Sequence, residues 1–270
     1  MTEELDKALA EYSRRLRELF ENDLIGVYLT GSLALGTYHE GKSDVDCTVL
    51  LQSPPSNQRI EGLKKLHEVL RRSYKKTRIE SHYITCNDLG KDPEDIDPLV
   101  SYHDGRLSKS KFNINPVTWV TLKRHGVTVA GPDVGGLVFD IPSTALTTYV
   151  VANVDTYWKK WLSRSKQLYR PLGLYALTDS AIEWSVSGIS RMLFTLDEAD
   201  IASKEAALEY MLAKVPERYH RILHEALRIR TGSKDKRYSS PLTRRSDMLS
   251  YLEYVIDRIH NSRGGDGASA

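Results

Sequence analysis

Cysteine is nearly absent: 270 residues hold two, Cys47 and Cys86. Two thiols cannot build a disulfide framework, and such sparing use fits a reducing compartment. Long apolar runs are missing as well. No stretch approaches eighteen apolar residues, which excludes a membrane-spanning helix. The opening, MTEELDKALAEYSRRL, carries acids and no apolar core, unlike a secretory signal. An excess of one charge is the third absence, since 38 Lys and Arg face 36 Asp and Glu for a net +2. A protein held on nucleic acid by phosphate contacts normally shows a clear basic excess, so that class starts weak. With 40% hydrophobic and 27% charged residues, neither a disordered nor a fibrous chain fits. What remains is a globular, cytoplasmic protein.

Apolar residues at three- and four-residue spacing (Leu5, Leu9, Tyr12, Leu16, Leu19, Phe20) predict a helix over 2–22. The β-rich run 25–30 ends at Gly31-Ser32 and predicts a buried strand entering a tight turn. Strands follow at 44–51 and 78–85, with an exposed basic helix over 57–76 between them. Residues 87–115 are polar and broken by Pro93 and Pro98, and read as a long loop. A short helix over 115–126 and an extended segment over 127–132 close this part. Beyond Pro142 the strand pattern stops, and amphipathic helices are expected near 143–168, 174–196, 203–214, 217–230 and 242–261. Residues 1–150 carry 19 basic and 21 acidic side chains, leaving 19 and 15 for the remainder, so the helical part is mildly cationic. The predicted class is α+β: a mixed-sheet domain over 1–142, an all-α helical bundle over 143–262, and a disordered tail over 263–270.

The chemistry concentrates at Gly31-Ser32 and Asp44-Val-Asp46. Residues i and i+2 of a strand share a face, so two carboxylates lie ~7 Å apart and repel. A hard divalent cation relieves that repulsion, and Mg²⁺ characteristically takes one or two carboxylates plus substrate phosphates. Gly31 lets the backbone approach a ligand closely, and the Ser32 hydroxyl with adjacent N–H groups suits phosphate oxygens. On the next strand Glu80 is a candidate general base. His82, two residues on, reads as a hydrogen-bonded structural histidine and as the next candidate if Glu80 fails. Trp158-Lys-Lys-Trp161 reads as helix packing with snorkelling lysines.

Gly31-Ser-x-Ala-x-Gly36 with Ser43-Asp44-Val-Asp46 resembles the signature of the nucleotidyltransferase superfamily related to DNA polymerase beta. Within it, the chain resembles the streptomycin/spectinomycin aminoglycoside adenylyltransferases over nearly its whole length. Arg78-Ile-Glu80, Leu122–Pro132, Ile189-Ser-Arg191 and Ala202-Ser-Lys204-Glu-Ala-Ala carry the closer match, the last two at the family's spacing of thirteen. The resemblance implies transfer of AMP from ATP to a hydroxyl of an aminoglycoside-like acceptor, with release of pyrophosphate. It implies two Mg²⁺ ions on Asp44, Asp46 and Glu80, with Glu80 as base. Gly31, Ser32, Arg191 and Lys204 would hold the nucleotide phosphates, in a cleft between the domains. The expected partners are ATP and a small cationic, hydroxyl-bearing acceptor, with neither membrane nor nucleic acid, and the chain is expected to be a monomer. A polycationic acceptor needs carboxylates and aromatic faces. Where the family keeps acids, this sequence has Leu177 and Ala181. Asp179 and Glu183 lie beside them, with Trp184 as an aromatic wall, and Arg230 stands where the family has a tyrosine. Competing readings place the nucleotide on a protein, an RNA or another small molecule, or make the chain a catalytically silent nucleotide-binding module.

Overall fold

The computed structural model describes residues 2–110 and 114–264. The chain divides into two compact units, Met1–Ser143 and Thr144–Ala270.

Helix α1 (Glu3–Phe20) starts where the Thr2 side chain accepts the Leu5 N–H at 3.4 Å, and its first turn carries Glu3, Glu4 and Asp6. Those acids face the positive helix end, and Arg17 sits in the last turn. Strand β1 (Leu24–Leu29) leads into a single helical turn, α2 (Gly31–Ala34), and then β2 (Val45–Leu51). Helix α3 (Asn57–Ser73), capped by Ser56, crosses to β3 (Ile79–Thr85). A helical crossover makes the joined strands parallel, and β2 and β3 are parallel. Strands β4 (Leu99–His103) and β5 (Arg106–Ser110), helix α4 (Pro116–His125) and β6 (Val127–Ala130) complete the unit. The six strands run in the order β5-β4-β3-β2-β1-β6, antiparallel everywhere else.

Both faces of this sheet are covered. Leu9, Tyr12 and Leu16 of α1 and Leu63, Leu66 and Leu70 of α3 pack on Val27, Val45, Val49 and Tyr83. Trp119 and Leu122 of α4 pack on Tyr28, Leu50 and Ile84 from the other side. Strand β3 is accordingly buried on both sides along nearly its whole length. His82 is buried with it.

The stretch 87–115 departs from the expected loop. It contains the β4–β5 hairpin, closed by Asp104-Gly105 with both residues at positive φ (49° and 74°). That geometry is the type I′ turn for which Asp-Gly is favoured.

Among its described residues the second unit is built of helices and their connections, with no strand. Helix α5 (Ala145–Asn153) widens into one π-helical turn at 154–158 and continues as α6 (Lys159–Ser165), followed by α7 (Pro171–Tyr175). Helix α8 (Asp179–Glu198), capped by Thr178, has Ile182, Val186, Ile189 and Leu193 on its buried face. Around it lie α9 (Lys204–Leu212), α10 (His220–Thr231) and α11 (Pro241–Gly264). The expected tail over 263–270 begins inside α11, and residues 265–270 lie outside the described residues. No helix among the described residues is long and apolar enough to cross a membrane.

Candidate active site

In β2 and β3 every residue is buried except one in each: Asp46 and Glu80. They are register partners on adjacent parallel strands, so their side chains leave the same face of the sheet about one strand spacing, ~4.8 Å, apart. The Gly31 turn sits directly against them. Gly31 has φ +59°, and a Cβ built on it would lie 1.9 Å from Asp46 Oδ2. Only glycine lets the carboxylate lie this close to the turn. The neighbouring Thr30 N–H donates to the Asp46 carbonyl at 2.9 Å, tying the end of β1 to β2. Ser32 follows inside α2, and its carbonyl accepts the Thr37 N–H at 2.9 Å.

Asp44 lies just before β2, and its Oδ1 accepts from Arg78 Nε at 2.7 Å. Arg78 also donates to the Lys42 carbonyl at 3.0 Å, closing the loop ahead of β2 onto the start of β3. Asp44 and Asp46 thus bring hard carboxylate oxygens to the mouth of an otherwise buried strand, with Glu80 in register beside them. This donor set, with the Gly31 turn against Asp46, fits Mg²⁺.

Glu80 is gripped by a feature that the sequence does not announce. Its Oε1 accepts the Asp104 N–H at 3.0 Å and its Oε2 accepts from His103 Nδ1, both from the β4–β5 hairpin. His103 Nε2 in turn lies 3.4 Å from Asp104 Oδ2. Ligand atoms of Glu80, His103 and Asp104 all lie within 4.8 Å of one another. The Asp-Gly pair marks the hairpin and so the end of β4, where His103 sits, but it is the pairing of β4 with β3 that sets His103 beside Glu80.

His82 does not serve the site. Its Nε2 meets Thr48 Oγ1 at 2.7 Å inside the sheet, and burial pushes its pKa down to about 4. It is a structural histidine, which removes it as the reserve base.

In the helical unit, Arg191 on α8 donates from Nε to the Ala202 carbonyl at 2.9 Å, bracing the segment that leads into α9. Lys204, the first residue of α9, meets Glu183 Oε1 at 3.2 Å, and Arg230 Nη1 meets the same oxygen at 3.6 Å. Asp179 pairs with Arg244 at 2.5 Å and Arg228 at 3.3 Å. Both carboxylates expected to meet a cationic acceptor therefore already hold internal cations. Trp184 packs on Trp158 and Trp161 with ring centroids 4.8 and 4.7 Å away, and Trp161 Nε1 donates to Ser185 Oγ at 3.0 Å. The tryptophan pair accordingly packs the helices together, with Trp184 wedged between its rings.

Residues 9–103 match the family of the nucleotidyltransferase domain, and residues 182–256 match the aminoglycoside adenylyltransferase C-terminal domain. The chain is a nucleotidyltransferase. Its fold is also that of spectinomycin adenyltransferase AAD(9) from Enterococcus faecialis, solved with ATP and spectinomycin. The TM-score is 0.63 at 16% identity, covering 94% of this chain and 98% of that one. Among curated proteins no match is found. The first match spans the Gly31 turn, Asp44, Asp46, Glu80 and His103 of this nucleotidyltransferase. The second takes in Glu183, Arg191, Lys204 and Arg230.

Proposed function

We propose that this nucleotidyltransferase moves AMP from ATP to a hydroxyl of a small, aminoglycoside-like acceptor and releases pyrophosphate. The observation that carries the reading is the pairing of Asp46 with Glu80, in register on parallel strands and pressed against the Gly31 turn. Bound Mg²⁺ at Asp44 and Asp46, within reach of Glu80, would supply the positive charge that offsets the transferring phosphate. Gly31 and Ser32 are the turn for the phosphate oxygens. Glu80 takes the proton of the attacking hydroxyl, which a carboxylate can do only within hydrogen-bond reach of the acceptor. Arg191 and Lys204 are the cations proposed for the leaving phosphates, where negative charge accumulates. For Lys204 this means exchanging Glu183 for phosphate.

The acceptor side is proposed to use Asp179, Glu183 and Trp184. Support for an aminoglycoside comes from the C-terminal domain match and from spectinomycin bound by AAD(9). A cationic acceptor would have to displace Lys204 or Arg230 from Glu183, and Arg228 or Arg244 from Asp179.

Two substitutions separate the roles. Asp46→Asn removes metal-site charge, so both MgATP affinity and turnover fall. Glu80→Gln removes the base, so MgATP affinity stays near wild type while turnover falls by about 10²–10⁴. Calorimetry and acceptor turnover check the pair; full turnover in Glu80→Gln would remove Glu80 as base.

A further inference from the structure

We propose that the turn of the β4–β5 hairpin is a clamp that fixes the Glu80 carboxylate for proton abstraction, with His103 as its positioning residue. The proposal rests on the reading of Glu80 as base. Register alone brings the parts together: Ser81 faces Tyr102 in the β3–β4 pairing, and the next pair outward is Glu80 with His103. Residues opposite one another on antiparallel strands share a face, so the imidazole and the carboxylate leave the sheet on the same side. The hairpin turn then supplies a second donor, the Asp104 N–H, which points at Glu80 because Asp104 and Gly105 both take positive φ. A carboxylate has about four lone-pair sites. The hairpin uses one on each oxygen and leaves one on each for a proton or a cation.

The clamp has a rigid backing. Tyr102, beside His103, stacks on His67 with ring centroids 3.7 Å apart and planes 9° from parallel. His67 Nε2 meets the Tyr83 hydroxyl at 2.7 Å, and Tyr12 bonds Ser81 at 2.6 Å and Tyr83 at 3.1 Å. Tyr12, His67 and Tyr83 are fully or almost fully buried. The hairpin end is therefore anchored through α3 to α1, while the His103 side chain is 42% exposed and lies outside the buried hydrophobic clusters. A side chain that contributes so little to the core can still decide where the base points, because small displacements of a catalytic group are costly in rate.

Two substitutions divide the ring from its hydrogen bond. His103→Phe keeps the ring and loses the donor; His103→Asn loses the ring and keeps an amide nitrogen near the Nδ1 position. The wild type and both variants are assayed for transfer of AMP to spectinomycin, or to whichever aminoglycoside the wild type modifies, alongside MgATP calorimetry and crystal structures. The proposal expects His103→Phe to lose about 10- to 100-fold in kcat at an unchanged MgATP dissociation constant, with Glu80 Oε1 moved from its 3.0 Å contact on Asp104 N–H. It expects His103→Asn to recover most of kcat and to keep Glu80 in place. Wild-type kcat in His103→Phe, or equal loss in both variants, overturns the clamp while leaving the base assignment to stand on Glu80→Gln. Full turnover in Glu80→Gln overturns the base assignment itself, and the clamp with it.

Discussion

A methyl group at position 31 would sit 1.9 Å from Asp46 Oδ2 on a backbone that turns through positive φ. Gly31→Ala therefore costs about 1–2 kcal/mol for the left-handed conformation alone, and it also expels Asp46 from its seat. MgATP calorimetry should show weakened binding out of proportion to the loss of stability; unaltered affinity would mean that the turn is not part of the site. His67 gives stability a pH dependence. It is buried among Tyr12, Tyr83 and Tyr102, and burial holds its pKa at about 3, against 6.5 for the exposed group. Between those values the unfolded chain carries a proton there that the folded protein does not, so stability falls as pH drops from 6.5 toward 3. The full slope is about 1.4 kcal/mol per pH unit. His67→Gln can keep a bond to Tyr83 and should lose less melting temperature between pH 7 and pH 5 than the wild type does. Parallel losses would contradict the buried, neutral histidine. Asp44 and Asp46 were legible because strand periodicity alone puts them on one face. His103 was not, because it meets Glu80 through strand pairing 23 residues away, and no local pattern marks that contact.

Helices α8, α10 and α11 meet at a set of charges whose centre, Glu225 with Arg228 and Arg244, is buried while Asp179 at its edge is half exposed. Glu225 on α10 is fully buried and bonds Arg228 and Arg244, which also hold Asp179 at the start of α8. Desolvation alone would raise the Glu225 pKa. The hydrogen bonds from Arg228, the Arg237 N–H and Arg244 outweigh it and hold the carboxyl below its usual range. Removing one partner of a buried ion pair strands the others, so Glu225→Gln should cost about 3–5 kcal/mol in denaturant unfolding. A loss below about 1 kcal/mol would show that these arginines find water instead. The helices themselves were legible from their apolar stripes and caps, such as Ser203 accepting the Ala206 N–H at 3.1 Å. The hairpin at 99–110 was hidden by the prolines before it and by its polar side chains. Its one local mark was Asp104-Gly105, a turn signal that outweighs composition when strands flank it.

At the scale of the molecule, the proposal assigns nucleotide ligands to both units. Lys204→Gln should weaken MgATP binding by about tenfold, roughly 1.4 kcal/mol, although Lys204 is distant in sequence from every carboxylate of the sheet unit. Unchanged affinity would confine the nucleotide to residues 1–143. The two-unit organisation was legible because strand patterns stop at Pro142. The sequence could not show that Asp179 and Glu183 already pair with cations of their own unit, because no spacing reveals those contacts. Nucleotidyl transfer is the central proposed activity. Its most direct test is mass spectrometry of spectinomycin, streptomycin and related aminoglycosides after incubation with the protein and MgATP, run beside Asp46→Asn. The predicted result is a single adenylyl adduct on at least one acceptor, with equimolar pyrophosphate, lost in Asp46→Asn. No adduct across the panel, or an adduct that forms equally well without the Asp46 charge, would contradict it.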